Sequence, residues 1–321
     1  MSTEDIPVVI FCGGEGTRMR GGTLTKKELV EIGGRPIIWH VMRIFSAHGF
    51  NRFVLPLGYE AGQLRRYFLD YEAMTRDFTI RLGSPALREG LGEEEATAPL
   101  PSPLPKGEGT PIPLPVGGVR GGSARGAGTE DPLPSPLPKG EGTGKIAFRG
   151  PEQHPEWEVS LVDTGLKTDK AGRIARVAEY LTAERFFVTY GDGVGDVDLA
   201  ALLAFHRAHG KLVTITAIQP QHYQYGTMDA DDDGRVGQYI QYPELPYWIN
   251  AGFMLFERAT LGWMRGGDAQ ALETGVLQEL IAADQVMMYR HHGFWQSMDT
   301  LKDANDLERL WQRGAPWRVW E

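Results

Sequence analysis

Apolar and polar positions along the chain follow two alternating periods. Val8–Cys12 is a short, unbroken apolar run that meets glycine at once, the pattern of a strand buried on both faces and entering a loop. In Arg35–His48 the residues Ile37, Ile38, Val41, Met42 and Phe45 recur at helical spacing, with Pro36 suited to a first turn. Phe53–Leu57 reads as a second strand stopped by Gly58, Ala61–Tyr71 as a helix and Thr79–Leu82 as a third strand. Further on, Val159–Asp163 and Arg185–Tyr190 read as strands, and Leu199–His209 as a helix closed by Gly210. Leu212–Ile218 is β-branched and strand-like, Gly252–Phe256 is another strand, and a helix begins near Leu301. Strands alternating with helices predict an α/β sandwich with a mainly parallel sheet. Ligands in such sheets sit at the carboxyl ends of the strands, so the glycine-rich loop after the first strand is where a nucleotide is expected.

One stretch breaks the pattern. Residues 92–144 are rich in Pro, Gly and Glu, and PLPSPLPKGEGT occurs at Pro99–Thr110 and again at Pro132–Thr143. Two copies without an apolar face cannot stack into a solenoid core. The composition predicts a disordered insertion into a single domain that covers residues 1–321.

Composition narrows the classes. With 321 residues, 41% of them hydrophobic, the chain can bury a sizeable core, and a net charge of −9 argues against a nucleic-acid surface. A single cysteine, Cys12, excludes an internal disulfide framework. The N-terminal MSTEDIPVVIFCGG has no basic region, and its apolar run is too short for a signal peptide or a membrane span. A cytoplasmic protein without membrane partners is expected.

The candidate chemistry starts at Gly13-Gly14-Glu15-Gly16-Thr17-Arg18. Glycines let backbone N–H groups approach a phosphate, and Arg18 can add a bidentate contact. A dinucleotide fingerprint starting at Gly14 would need glycine where Met19 stands, and no G-K-[ST] triplet of a Walker A loop follows. Lys26 and Lys27 come next; they read either as solvated lysines or as cations for a transferring phosphate. Asp192, between Gly191 and Gly193 at a strand end, is either a turn aspartate or a Mg²⁺ ligand. Asp299, in FWQSMDT, is either a helix N-cap or a second ligand. No His/Cys cluster suits zinc, and His291-His292 reads as structural.

Together, VVIFCGGEGTR, VEIGGRPIIWHVM, SLVDTG, RVAEY, YGDGVGD, INAGF, GFWQSMDT and APWRVWE resemble, in the same order, the glucose-1-phosphate cytidylyltransferases among the sugar-phosphate nucleotidyltransferases. The resemblance covers nearly all of the chain outside the insertion. It implies a Rossmann-like three-layer sandwich with a mixed, mainly parallel sheet. It also implies Mg²⁺-dependent transfer from CTP to α-D-glucose 1-phosphate, giving CDP-glucose and pyrophosphate, in a family that often assembles into homo-oligomers. On matching positions, Phe11, Cys12, Gly13, Gly14, Glu15, Gly16, Thr17 and Arg18 would hold the nucleotide, with Thr168, Arg173 and Gly191. Arg18 and Lys27 would neutralise charge in catalysis, Asp192 and Asp299 would hold the metal, and Asn250 would lie near the sugar. Two segments depart from the family. Its K-P-K-P reads TKKEL here, with Lys27 in register, and its F-x-E-K-P reads Tyr239-Ile240-Gln241-Tyr242-Pro243. Tyr242 therefore stands where a sugar-phosphate lysine is usual. That leaves three readings open: transfer from CTP to glucose 1-phosphate, the same chemistry with another sugar or base, or a nucleotide-binding relative without turnover.

Overall fold

The structure is a computed structural model that describes residues 5–13, 25–71, 77–80, 146–149, 157–219, 226–241 and 246–320. The loop residues Gly14, Glu15, Gly16, Thr17 and Arg18, together with Tyr242 and the 92–144 insertion, lie outside the described residues. The chain divides into two units, one formed by Met1–Thr75 with Gly150–Glu321 and the other by Arg76–Arg149. In the second unit, Asp77–Ile80 and Ile146–Arg149 form an antiparallel pair. The strand expected at Thr79–Leu82 is found at Asp77–Ile80, where it pairs with a segment beyond the insertion in a separate two-stranded sheet.

The first unit is built on eight strands: β1 Val8–Phe11, β2 Arg52–Leu57, β3 Glu158–Asp163, β4 Arg185–Tyr190, β5 Val213–Ile218, β6 Ile249–Asn250, β7 Met254–Glu257 and β8 Val286–Arg290. Strand β1 is central, parallel to β4 on one side and to β2 on the other, and β3 lies parallel outside β2. Beyond β4 comes the antiparallel β7; β7 and β6 pair in turn with one edge of β5, and β8 pairs its other edge in parallel. The sheet is thus mixed and mainly parallel.

The continuous apolar strands sort their side chains by period two. Val8, Ile10 and Cys12 enter one core with Phe53, Leu55, Phe187 and Leu255. Val9 and Phe11 enter the other with Val54, Phe186, Val188, Met254 and Phe256. Helices α1 Ile37–Ala47, α4 Leu199–His209 and α6 Leu301–Gln312 cover the first core; α3 Lys170–Arg176 and α5 Leu277–Ala282 cover the second. Helix α2 Ala61–Leu69 presents Leu64 to the first core. The result is a three-layer sandwich. Helix starts are set locally: Asp198 accepts from the N–H groups of Ala200 and Ala201, and Thr300 and Asp303 form a capping box on α6. Among the described residues, no helix is long and apolar enough to cross a membrane.

The C-terminal aromatics close the first core around one imidazole. His40 is fully buried; its Nε2 lies 2.8 Å from the Ile32 carbonyl and its Nδ1 accepts from Trp317 Nε1 at 3.4 Å. Those partners fit a neutral ring with its proton on Nε2. Trp39, Trp311 and Trp317 pack edge-on around it. Burial pushes its pKa down to about 4. Between about pH 4 and the ordinary histidine value the native state then binds fewer protons than the unfolded chain. Stability is therefore expected to fall as pH drops from about 6.5 towards 4, by up to about 3 kcal/mol from this ring. Denaturant unfolding across that window checks it: His40→Gln should flatten the pH dependence, and an unchanged slope would contradict the account.

Candidate active site

Three charged side chains converge at the carboxyl ends of β1 and β4. Asp192 follows β4 in the turn Gly191-Asp192-Gly193. From there Gly193–Gly195 pairs antiparallel with Trp295–Ser297, Ser297 opposite Gly193. That short ladder, extended by the Met298 N–H on the Asp192 carbonyl at 2.9 Å, brings Asp299 beside Asp192. Lys27 opens the 3₁₀ turn Lys27–Leu29 and reaches between them. Its Nζ lies 2.6 Å from Asp192 Oδ2 and 2.8 Å from Asp299 Oδ1.

Asp299 is no helix cap. Thr300 caps α6, and the Asp299 N–H itself donates to Asp303 Oδ2 at 3.0 Å. The Asp299 carboxylate is left for the site, where Ser297 Oγ–H donates to its second oxygen at 3.0 Å. Burial alone would depress the Lys27 pKa, but the Asp192 charge and hydrogen bonds to both carboxylates more than offset it, so the value is raised. Lys27 is cationic at neutral pH.

Lys26 behaves differently from its neighbour. It is buried; its Nζ donates to the Tyr59 carbonyl at 2.9 Å and pairs with Glu28 at 3.5 Å, and its N–H donates to Gln63 Oε1. Burial, resisted by Lys26, raises the Glu28 pKa. A K-K-E run ordinarily reads as a solvated face, so nothing in the sequence announced a buried pair beneath the site. Cys12 lies in the same region with a fully buried side chain, and burial, helped by Glu28, holds its thiol well above the ordinary range. It points into the first core as an inert thiol.

Beside this cluster, Phe11, Gly13, Leu166, Lys167, Thr168, Asp169, Lys170 and Arg173 line a cavity of about 310 Å³. Of the residues expected to hold a nucleotide, Phe11, Gly13, Thr168 and Arg173 thus share one cavity. Gly191 adjoins it, its N–H on the Phe11 carbonyl at 3.2 Å. Asn250 is linked through Tyr190: Asn250 Nδ2–H donates to Tyr190 Oη at 3.2 Å, and Tyr190 O–H donates to Glu273 at 2.9 Å. Glu273 also pairs with Lys170. Tyr190, Glu273 and Lys170 had no sequence signal, since their contacts join positions up to 103 residues apart.

A cavity at the carboxyl ends of the strands, beside two carboxylates that share one lysine, makes this end of the α/β sheet the candidate active site. The family model described as MobA-like NTP transferase domain matches residues 8–98, and that described as Nucleotidyl transferase matches residues 147–308. The chain belongs to the nucleotidyl transferase family. Within it, the glucose-1-phosphate cytidylyltransferase of Salmonella typhimurium is 33% identical over 98% of this chain and 99% of its own length. That of Salmonella typhi is 32% identical over the same shares. Among solved structures, HddC from Yersinia pseudotuberculosis superposes with a TM-score of 0.54 at 15% identity, covering 95% of this chain and 99% of its own; this likeness bears on the fold.

Gly191 is closely packed against the residues beneath the site. A Cβ there would stand 2.9 Å from Glu28 Cγ and 3.1 Å from the Phe11 carbonyl oxygen. Gly191→Ala is expected to destabilise the protein by roughly 1–3 kcal/mol through overpacking. Thermal unfolding measures this, and a wild-type transition would show that the contact yields freely.

Proposed function

We propose that this chain transfers a cytidylyl group from CTP to α-D-glucose 1-phosphate, releasing pyrophosphate and forming CDP-glucose. The observation that carries the reading is the convergence of Lys27 on Asp192 and Asp299 beside the Phe11–Arg173 cavity. The near full-length similarity to two named glucose-1-phosphate cytidylyltransferases supports the substrates. A single buried cysteine suits a reducing, cytoplasmic setting.

The donor set fits Mg²⁺. Two carboxylates reach the same ammonium and so face one point, and among the described residues no group of three His, Cys, Asp or Glu side chains offers a complete protein cage. Mg²⁺ is commonly held by one or two carboxylates with phosphates and water. Asp192 and Asp299 would hold it, and the bound ion would supply charge neutralisation to the triphosphate.

The chain's own groups account for the rest. An acceptor phosphate oxygen is ionised near neutral pH, so no general base is needed. Its lone pair forms the bond to the α-phosphorus in line, and the α–β bridging bond breaks with its electron pair on pyrophosphate. Lys27, held cationic between the carboxylates, is placed to offset charge on the phosphates. The cavity of Phe11, Gly13 and Thr168 would seat the nucleoside and exclude water. Arg18 takes the triphosphate in this reading, and Asn250, tied to Tyr190, faces the sugar.

Wild-type protein with CTP, α-D-glucose 1-phosphate and Mg²⁺ is expected to release pyrophosphate, and chelation to stop it. Asp192→Asn should lower kcat by about a hundredfold or more with the fold intact. A panel of nucleoside triphosphates and sugar 1-phosphates settles the partners. Preference for another base or sugar would reassign the substrates, and no release from any pair would refute the transferase reading.

A further inference from the structure

Lys27 stands in the chain between two buried charges of opposite sign. Lys26 is 3% exposed and Glu28 is 7% exposed, while Lys27 keeps partial access to solvent. The two flanks hold different neighbours. Lys26 Nζ donates to the Tyr59 carbonyl at 2.9 Å, and the Lys26 N–H donates to Gln63 Oε1 at 2.9 Å. Both acceptors stand at the start of α2. Glu28 lies against the turn that presents Asp192: a Cβ built on Gly191 would stand 2.9 Å from Glu28 Cγ. Lys26 Nζ and Glu28 Oε2 face each other at 3.5 Å.

The backbone of this stretch is held by bonds. The Leu29 N–H closes the turn on the Lys26 carbonyl at 2.8 Å, and the Val30 N–H reaches the Lys27 carbonyl at 3.2 Å. Lys26 has φ −59° and ψ 139°, and that φ is the one a proline ring would impose. The chain reads TKKEL here and has no proline. The N–H and the ammonium of Lys26, both of which a proline lacks, take the ring's place. As a source of stability the pair is poor. Its charges are taken out of water and Glu28 Oε2 makes no hydrogen bond among the described residues, so desolvation offsets much of the Coulombic gain. What the pair does supply is a fixed place for the residue between its members.

We propose that Lys26 and Glu28 are positioning residues, a buried staple that ties the Lys27 turn to the start of α2 and to the Asp192 turn, and so sets the Lys27 ammonium between Asp192 and Asp299. The staple is a statement about the chain's own contacts; only its effect on turnover rests on the cytidylyl-transfer reading. A lysine ammonium rides on a flexible stem, and the reach of Lys27 to both carboxylates, 2.6 and 2.8 Å, depends on where its backbone is held. Neither flank touches substrate in this account. Both act through Lys27.

The test uses the full-length chain carrying Lys26→Met/Glu28→Met, Lys26→Met alone, or the milder Glu28→Gln. Thermal transitions separate stability from positioning. Lys26→Met should melt lowest, because it leaves a carboxylate buried without its cation, and the double variant should recover most of that loss. Amide hydrogen exchange is followed in peptides covering Thr25–Val30 and Tyr190–Gly193, with α4 as the reference. All three variants should exchange faster in the two segments while α4 keeps the wild-type rate. In pyrophosphate release the double variant should lose roughly tenfold or more in kcat through misplacement of Lys27, with the CTP KM changed far less. In a Lys27→Met background the same double substitution should cost little further, since its effect runs through the missing ammonium. Three results would each overturn the staple: wild-type exchange or a wild-type kcat in the double variant, a kcat that recovers in step with the thermal transition, or a second full loss in the Lys27→Met background. Exchange decides the staple even if wild-type protein released no pyrophosphate, an outcome that would sink the cytidylyl-transfer reading separately.

Discussion

The Lys27 ammonium lies within 3 Å of carboxylates that the chain supplies from distant segments, Asp299 being 272 residues away in sequence. Two carboxylates this close would repel each other without a shared cation. The arrangement depends on the short ladder between Gly193–Gly195 and Trp295–Ser297, which fixes where Asp299 stands relative to Asp192. It also depends on the capping box, which satisfies the start of α6 without drawing on the Asp299 carboxylate. The sheet supplies the frame: β1 and β4 lie side by side in parallel, so the Gly13 loop and the Asp192 turn emerge together at one end.

The cations around this end divide by what they face. Lys26 is buried and bonded to the Tyr59 carbonyl, with Glu28 as its charged partner. Its charge holds backbone segments in place. Lys27 instead faces two carboxylates that keep part of their surface open to solvent. Charge that can be shared with an incoming phosphate or ion is thus placed next to charge already committed to structure. Preorganisation of this kind spares the site from reorganising when charged substrates arrive.

Much of the fold was legible because its strands are buried on both faces. Runs such as Val8–Cys12 and Arg185–Tyr190 have no solvated side, so unbroken hydrophobicity located them, and the glycine after each marked a strand end. The antiparallel β7 in a mainly parallel sheet left no comparable mark, since a buried apolar strand reads alike in either direction. Near Thr79 the apolar pattern was real, but its partner lay beyond the insertion at Ile146–Arg149, which local periodicity cannot see. At the site, Lys27, Asp192 and Asp299 could be named from motif order, whereas their meeting depends on tertiary pairing. Lys26 and Glu28 looked like surface charge because burial of a charged pair is set by what packs over it. Asp299 was ambiguous with an N-cap until Thr300 proved to hold that position.

The central claim is that Asp192 and Asp299 create a joint site for a divalent ion and a nucleoside triphosphate. Calorimetric titration of CTP, with and without Mg²⁺, into wild-type protein and into Asp192→Asn/Asp299→Asn tests this most directly. The account predicts tight CTP binding by the wild type that requires Mg²⁺, and loss of that Mg²⁺ dependence in the double variant. Equal CTP affinity with and without Mg²⁺ in the wild type would contradict it.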